Sequence, residues 1–140
     1  MLSSRPKDFS GMSNESYIYV IAEIGINHNG SLETAKKLID ESAAVGCDAV
    51  KFQKRTIDIV YSESVLNKPR ESPWGDTQRA QKEGLELSID DYDELDKYCK
   101  HKKIDWFASS WDEKSQILMR KYNFPFNKIA SAMAINESFV

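Results

Sequence analysis

Apolar residues crowd into YIYVI at positions 17 to 21 and give way within a few positions to polar ones, Glu23, Asn27, His28 and Asn29. A strand apolar on both faces belongs in a sheet covered on both sides, and ligands of such sheets bind at the carboxyl ends of the strands. The period then changes. Gly30 and Ser31 make a turn and N-cap, and Leu32, Ala35, Leu38, Ile39, Ser42 and Ala43 recur at helical spacing up to Gly46. A second buried strand follows in Cys47 to Gln53, where Ala49, Val50 and Phe52 are apolar and Lys51 and Gln53 stand at its end.

From Lys54 to about Leu87 no period holds. Connections this long inside a compact domain are commonly functional, and the aromatic and proline content of KPRESPWGD points to an ordered loop. Ser88 and Asp91 then start a helix whose apolar stripe is Ile89, Tyr92, Leu95, Tyr98 and Cys99. DWFAS, Asp105 to Ser109, reads as a third strand. Ser110 with Glu113 fits a capping box for a helix that buries Ile117, Leu118 and Tyr122, and KIASA, Lys128 to Ala132, reads as a fourth strand.

Strand and helix thus alternate four times, which predicts a parallel sheet with right-handed crossovers. A doubly wound sheet would carry a glycine-rich phosphate turn after its first strand, and Gly25 and Gly30 do not make one. A (β/α)₈ barrel gathers its site from the ends of many strands, as this sequence offers, but needs about 250 residues. The expected fold class is therefore α/β: the first half of a (β/α)₈ TIM barrel, about four parallel strands alternating with helices over residues 17–140. Residues 1–16, rich in Ser, Asn and charge, are expected to be a flexible leader.

Composition narrows the function. The 140 residues are 41% hydrophobic, enough for one core, and a net charge of -3 offers no basic footprint for nucleic acid. No apolar run approaches the roughly 18 residues of a membrane span, and residues 1–16 lack the apolar core, about 7 to 15 residues long, expected of a signal peptide. Cys47 and Cys99 are too far apart for a redox or metal motif and read as small core residues of a protein in the reducing cytoplasm. His101, among lysines, reads as a solvated surface residue.

AEIGINHNGS, VKFQ, WFASSWD and NKIASA, in this order and spacing, resemble the amino-terminal barrel of the sialic acid synthase (N-acetylneuraminate synthase) family. The resemblance runs from Tyr17 to the last residue. It implies a condensation of phosphoenolpyruvate with an N-acylated hexosamine, N-acetylmannosamine or a related sugar, giving a nonulosonic acid and phosphate. It also implies a divalent metal, Mn²⁺ or Mg²⁺, on histidines of later barrel strands, and a homodimer when the protein is full length.

Carried over residue by residue, the resemblance makes Glu23 and Lys51 the catalytic candidates. Lys51 would meet a carboxylate or phosphate as a point charge, and Glu23 would handle a proton or stabilise a developing cation. Asn27, His28, Gln53, Ser109, Ser110, Lys128 and Ser131 are the substrate-binding candidates, and no metal ligand is assigned in this chain. Arg70, Trp74 and Arg79 in the long loop are candidates to close over substrate. Met133 stands where the family carries an acid two positions after the serine, and a thioether cannot replace a carboxylate.

The 140-residue chain alone is expected to be inactive. Two alternatives accompany this reading: another phosphoenolpyruvate-aldose condensing synthase, or a non-catalytic truncated half-barrel.

Overall fold

The computed structural model describes residues 18–140; the expected leader lies outside the described residues. Strand β1 (Ile21–Gly25) leads into helix α1 (Leu32–Ala44) and strand β2 (Ala49–Lys54). Two short helices, α2 (Ile57–Val60) and α3 (Glu63–Leu66), precede the antiparallel hairpin of β3 (Pro69–Ser72) and β4 (Gly75–Thr77). Helices α4 (Gln78–Gly84) and α5 (Ile89–Lys102), strand β5 (Asp105–Ser110) and helix α6 (Glu113–Met119) complete the order, with a 3-10 turn at Ser131–Met133.

The sheet is parallel, in the order β1-β2-β5. Alternation along each strand divides it into two faces. Ile24, Val50, Phe52, Trp106 and Ala108 point into a core shared with Ala35 and Ile39 of α1, Tyr92, Leu95 and Cys99 of α5 and Met119 of α6. Glu23, Lys51 and Phe107 lie in register on the opposite face, with Gln53 paired to Ser109 one step further on. The aromatic part of the core is centred on Trp106, which stacks on Tyr92 at 5.9 Å between ring centroids and meets Phe124 edge-on at 4.7 Å. Its indole nitrogen donates to Asp96 at 3.1 Å, so the one polar atom of a large buried ring is satisfied.

Helix boundaries follow their side-chain caps. Ser31 accepts from the Thr34 amide, and Ser88 and Asp91 form the reciprocal capping box expected of them. At α6 the expectation is corrected. Asp112, not Ser110, is the N-cap, accepting from the Ser115 amide and hydroxyl at 2.7 Å each, while Ser110 remains in β5. A buried carboxylate is the stronger acceptor, and it also takes the Thr56 amide at 2.7 Å, fastening the ends of β2 and β5 together.

The fourth expected strand does not form. Residues 126–130 make no ladder with β5, and Ser131 begins a 3-10 turn. The reason is visible in Phe126, whose ring lies 5.6 Å from Phe107 and 5.0 Å from Tyr19. Those contacts draw the segment across the face opposite the helices instead of along the free edge of β5.

The long aperiodic stretch is ordered, and it packs on the β1 turn through two glycines. A Cβ on Gly30, whose φ is +69°, would come within 2.0 Å of the Gly84 carbonyl oxygen, and one on Gly84 would come within 2.1 Å of the Trp74 ring. Turn, α4 end and hairpin indole are therefore stacked with no room for a side chain between them. Gly30→Ala combines a left-handed backbone with a clash against a carbonyl and is expected to cost at least about 2 kcal/mol. Denaturant unfolding of the variant beside the parent measures it; an unchanged midpoint would contradict the packing described.

Candidate functional site

The centre of the site is set by strand register. Glu23 and Lys51 are Cα partners on neighbouring parallel strands, and Lys51 Nζ stands 2.5 Å from Glu23 Oε2. The two ends of this ion pair differ in environment. The Lys51 side chain is 4% exposed and that of Glu23 is 61% exposed, so a nearly dry ammonium is compensated by a carboxylate that keeps contact with water. An ammonium removed from solvent requires such a partner, and a substrate anion can share it.

Gln53 and Ser109 extend this face toward the carboxyl ends of β2 and β5. Gly25, at φ +58°, brings the departing β1 chain beside the Gln53 amide, where an added Cβ would sit 3.7 Å from Nε2. Tyr92 donates to the Gln53 carbonyl at 2.7 Å from the core side and pins the strand end. Burial pushes the Tyr92 hydroxyl well above the usual phenol range, so it stays a donor.

The turn after β1 holds the remaining first-strand candidates in different settings. Hydrogen bonds from the backbone amides of Asn27, Asn29 and Ser31 to the carbonyls of Ile24, Ile26 and His28 wind residues 24–31 into consecutive turns. Asn27 is exposed above the strand end, whereas His28 is 1% exposed and leans on the Phe52 ring at 6.0 Å. His28 Nδ1 accepts from the Gly30 amide at 3.1 Å, and the ring also hydrogen-bonds the Gly25 backbone. Both contacts hold the neutral imidazole as a brace of the turn.

The other expected site residues are dispersed. Ser110 is fully buried on the helix side of β5, and its Oγ has no hydrogen-bond partner. Lys128 and Ser131 are exposed on the segment that crosses the sheet. Met133 lines a cavity of about 780 Å³ with Ile59, Trp111, Ile117 and Leu118. In the long loop Arg79 is held by three carboxylates, Asp58 at 2.5 Å, Glu63 at 2.7 Å and Glu83 at 3.2 Å, which tie α2, α3 and α4 together; Arg70 is exposed.

Sequence reasoning missed one cluster. Directly after β2, Arg55 Nε donates to Glu86 at 2.7 Å and Nη1 to the Tyr61 hydroxyl at 3.1 Å, while Lys54 reaches the other Glu86 oxygen at 3.2 Å. The signal available was a pair of cations, Lys54 and Arg55, at a strand end, matched by an acid 31 residues from Arg55 that no periodic pattern connects to them. Among the described residues, no group of three or more His, Cys, Asp or Glu could hold a metal ion, and no helix is long and apolar enough to cross a membrane.

A parallel sheet with helices on one face and a charged pair at the strand ends of the other is the arrangement of part of a (β/α)₈ barrel. The NeuB family profile matches residues 38–140, and the chain belongs to that family. It is 43% identical over 121 residues to the N-acetylneuraminate-9-phosphate synthase of Drosophila melanogaster, covering 85% of this chain and 32% of that protein. The human protein of the same name is 37% identical over 124 residues, covering 87% and 34%. Among solved structures, the sialic acid synthetase of Leptospira borgpetersenii serovar Hardjo-bovis, crystallised with citrate, superposes with a TM-score of 0.73 at 25% identity, covering 89% of this chain and 40% of that one. The chain thus spans about a third of the length of these curated relatives.

Burial lowers the His28 pKa below its ordinary 6.5. A base with a depressed folded-state pKa contributes stability that is complete above the unfolded value and is lost as pH falls below it. Unfolding free energy is therefore expected to drop between pH 7 and 5 in the parent and to drop less in His28→Gln. Denaturant titrations at both pH values check this, and parallel slopes would contradict it.

Proposed function

We propose that this chain supplies the phosphoenolpyruvate corner of a sialic-acid-type synthase, which joins phosphoenolpyruvate to the open-chain aldehyde of an N-acylated hexosamine. The observation that carries the proposal is the dry Lys51 ammonium paired with Glu23 at the strand ends of the face opposite the helices. The family's relatives bear synthase names, which supports the same reading.

In this reaction the carbon 3 electron pair of phosphoenolpyruvate forms the new bond to the aldehyde carbon, and the aldehyde oxygen takes up a proton. Carbon 2, left with cationic character, is captured by water, which gives up a proton. The resulting tetrahedral centre expels inorganic phosphate and becomes the product ketone.

Lys51 is assigned the carboxylate or phosphate of phosphoenolpyruvate, as a point charge already removed from water. Glu23, freed from Lys51 as the anion enters, is assigned the electron-poor carbon 2 or the proton of the attacking water. Gln53, Ser109 and Asn27 are assigned hydrogen bonds to substrate oxygens, and His28 acts on the site through the turn it braces. The described residues do not suit a divalent ion, and no step here runs through one.

The test uses a chain that carries the whole barrel, assayed for phosphate release from phosphoenolpyruvate plus an N-acylhexosamine. Glu23→Gln and Lys51→Ala are each expected to lower turnover at least 100-fold, on the scale of losing a positioned acid-base or charge-stabilising group. Near-normal turnover in both would sink the assignment. The 140-residue chain by itself is expected to release no phosphate.

A further inference from the structure

The turn after β1 contains Asn29 followed by Gly30, the one Asn-Gly pair in the 140 residues. An asparagine side-chain amide is open to attack by the backbone nitrogen of the next residue, and glycine, with no Cβ, leaves that nitrogen least obstructed. Asn29 is exposed, and both residues are held in left-handed backbone, at φ +52° and +69°. For asparagine that conformation is strained.

A second observation concerns the attacking nitrogen. The Gly30 amide donates to His28 Nδ1 at 3.1 Å, and His28 is 1% exposed. Turn amides ordinarily donate to carbonyl oxygens, which do not take up a proton near neutral pH, whereas an imidazole does. The ring is fixed from its other sides by the Gly25 backbone and by the Phe52 ring at 6.0 Å, so Nδ1 stays aimed at the amide. Glu86 and Asp91 favour a charged ring, Arg55 and burial oppose it, and burial dominates. Near neutral pH the imidazole is therefore uncharged and free to act as a base.

We propose that the β1 turn is a self-modification site, at which His28 is the general base that converts Asn29 to isoaspartate. The Gly30 nitrogen forms a bond to Asn29 Cγ while its proton passes to His28 Nδ1. His28 returns that proton to the side-chain nitrogen, the Cγ–Nδ2 bond breaks and ammonia leaves. Water then opens the cyclic imide at either carbonyl, giving aspartate when Cγ is released from nitrogen and isoaspartate when the main-chain carbonyl is. Only water enters and only ammonia departs, and nothing in this chemistry depends on the proposed synthase reaction.

The turn has no slack for the product. Isoaspartate adds a carbon to the backbone and a carboxylate beside it, where a mere Cβ on Gly30 would already come within 2.0 Å of the Gly84 carbonyl oxygen. The same turn carries Asn27 and begins at Gly25, next to the Gln53 amide, so its conversion disturbs the strand-end face of the candidate site.

The test follows residue 29 of the 140-residue chain by mass spectrometry after incubation for days across a range of pH, with fragmentation that separates aspartate from isoaspartate. A synthetic peptide of residues 24–32 is the reference, since it has the same sequence without the fixed imidazole. Asn29 is expected to convert several-fold faster in the chain than in the peptide. Its rate is expected to level off above the pH at which His28 loses its proton, while that of the peptide keeps rising with hydroxide. His28→Gln keeps an acceptor for the Gly30 amide but no base, and is expected to convert at least about tenfold more slowly than the parent, with circular dichroism confirming that it is folded. The pH profile of the parent stands as the test even where that variant is unfolded. Conversion no faster than in the peptide, a rate in the chain that climbs with pH as steeply as the peptide's, or an unchanged rate in folded His28→Gln would overturn the proposal.

Discussion

An ammonium group without water around it is the constraint on which the arrangement depends. Lys51 sits on the middle strand of the sheet, with Val50 and Phe52 turned into the helix-covered core and its own chain turned the other way. Desolvating such a charge costs several kcal/mol unless a partner is held in place. Register provides the partner: Glu23 is opposite Lys51 because Ile21 is opposite Ala49 and Ala22 opposite Val50. A slip of one residue would exchange the two faces and place the charges in the core.

The rest of the fold secures that register from both sides. Trp106, Tyr92, Phe52 and Phe124 fill the helix side with interlocking rings, and the Tyr92 hydroxyl reaches through to the Gln53 carbonyl. Asp112 joins the ends of β2 and β5, while Gly30 and Gly84 let the loop excursion press directly on the β1 turn. The site face is thereby built on strand ends and braced turns, which hold geometry better than free loops. The Arg79 cage performs the same service at the surface, where its solvent-exposed carboxylates make each single link weak and the triple link useful.

Much of this was legible before any coordinates. Periodicity located α1, β2, α5 and β5, whereas the first strand forms at Ile21–Gly25, shifted past the apolar run that suggested it, and Ile18 and Val20 of that run are exposed. Glu23 and Lys51 were legible as polar residues at the ends of apolar strands, and the AEIGINHNG turn carried the family. What failed was local and depended on partners. KIASA has strand composition, but a strand needs a neighbour, and Phe126 found its burial against Phe107 and Tyr19 instead. Ser110 and Glu113 have capping-box spacing, yet Asp112 is the better acceptor and wins the helix end. The residues 54–87 hold three helices and two strands too short to show a period, joined by contacts such as Arg55 to Glu86 that no local pattern encodes. His28 is a site candidate by position, and the Gly30 amide and Phe52 ring that hold it are contacts no local pattern announces.

The account's central claim is that the dry Lys51 ammonium is a receptor for phosphoenolpyruvate and not a strut of the sheet. Isothermal calorimetry of phosphoenolpyruvate with the 140-residue chain and with Lys51→Met, a substitution of similar shape without the charge, addresses it directly. The account predicts measurable binding to the parent and at least a tenfold weaker affinity in the variant, with the variant still folded by circular dichroism. Equal affinity in two folded proteins would contradict it.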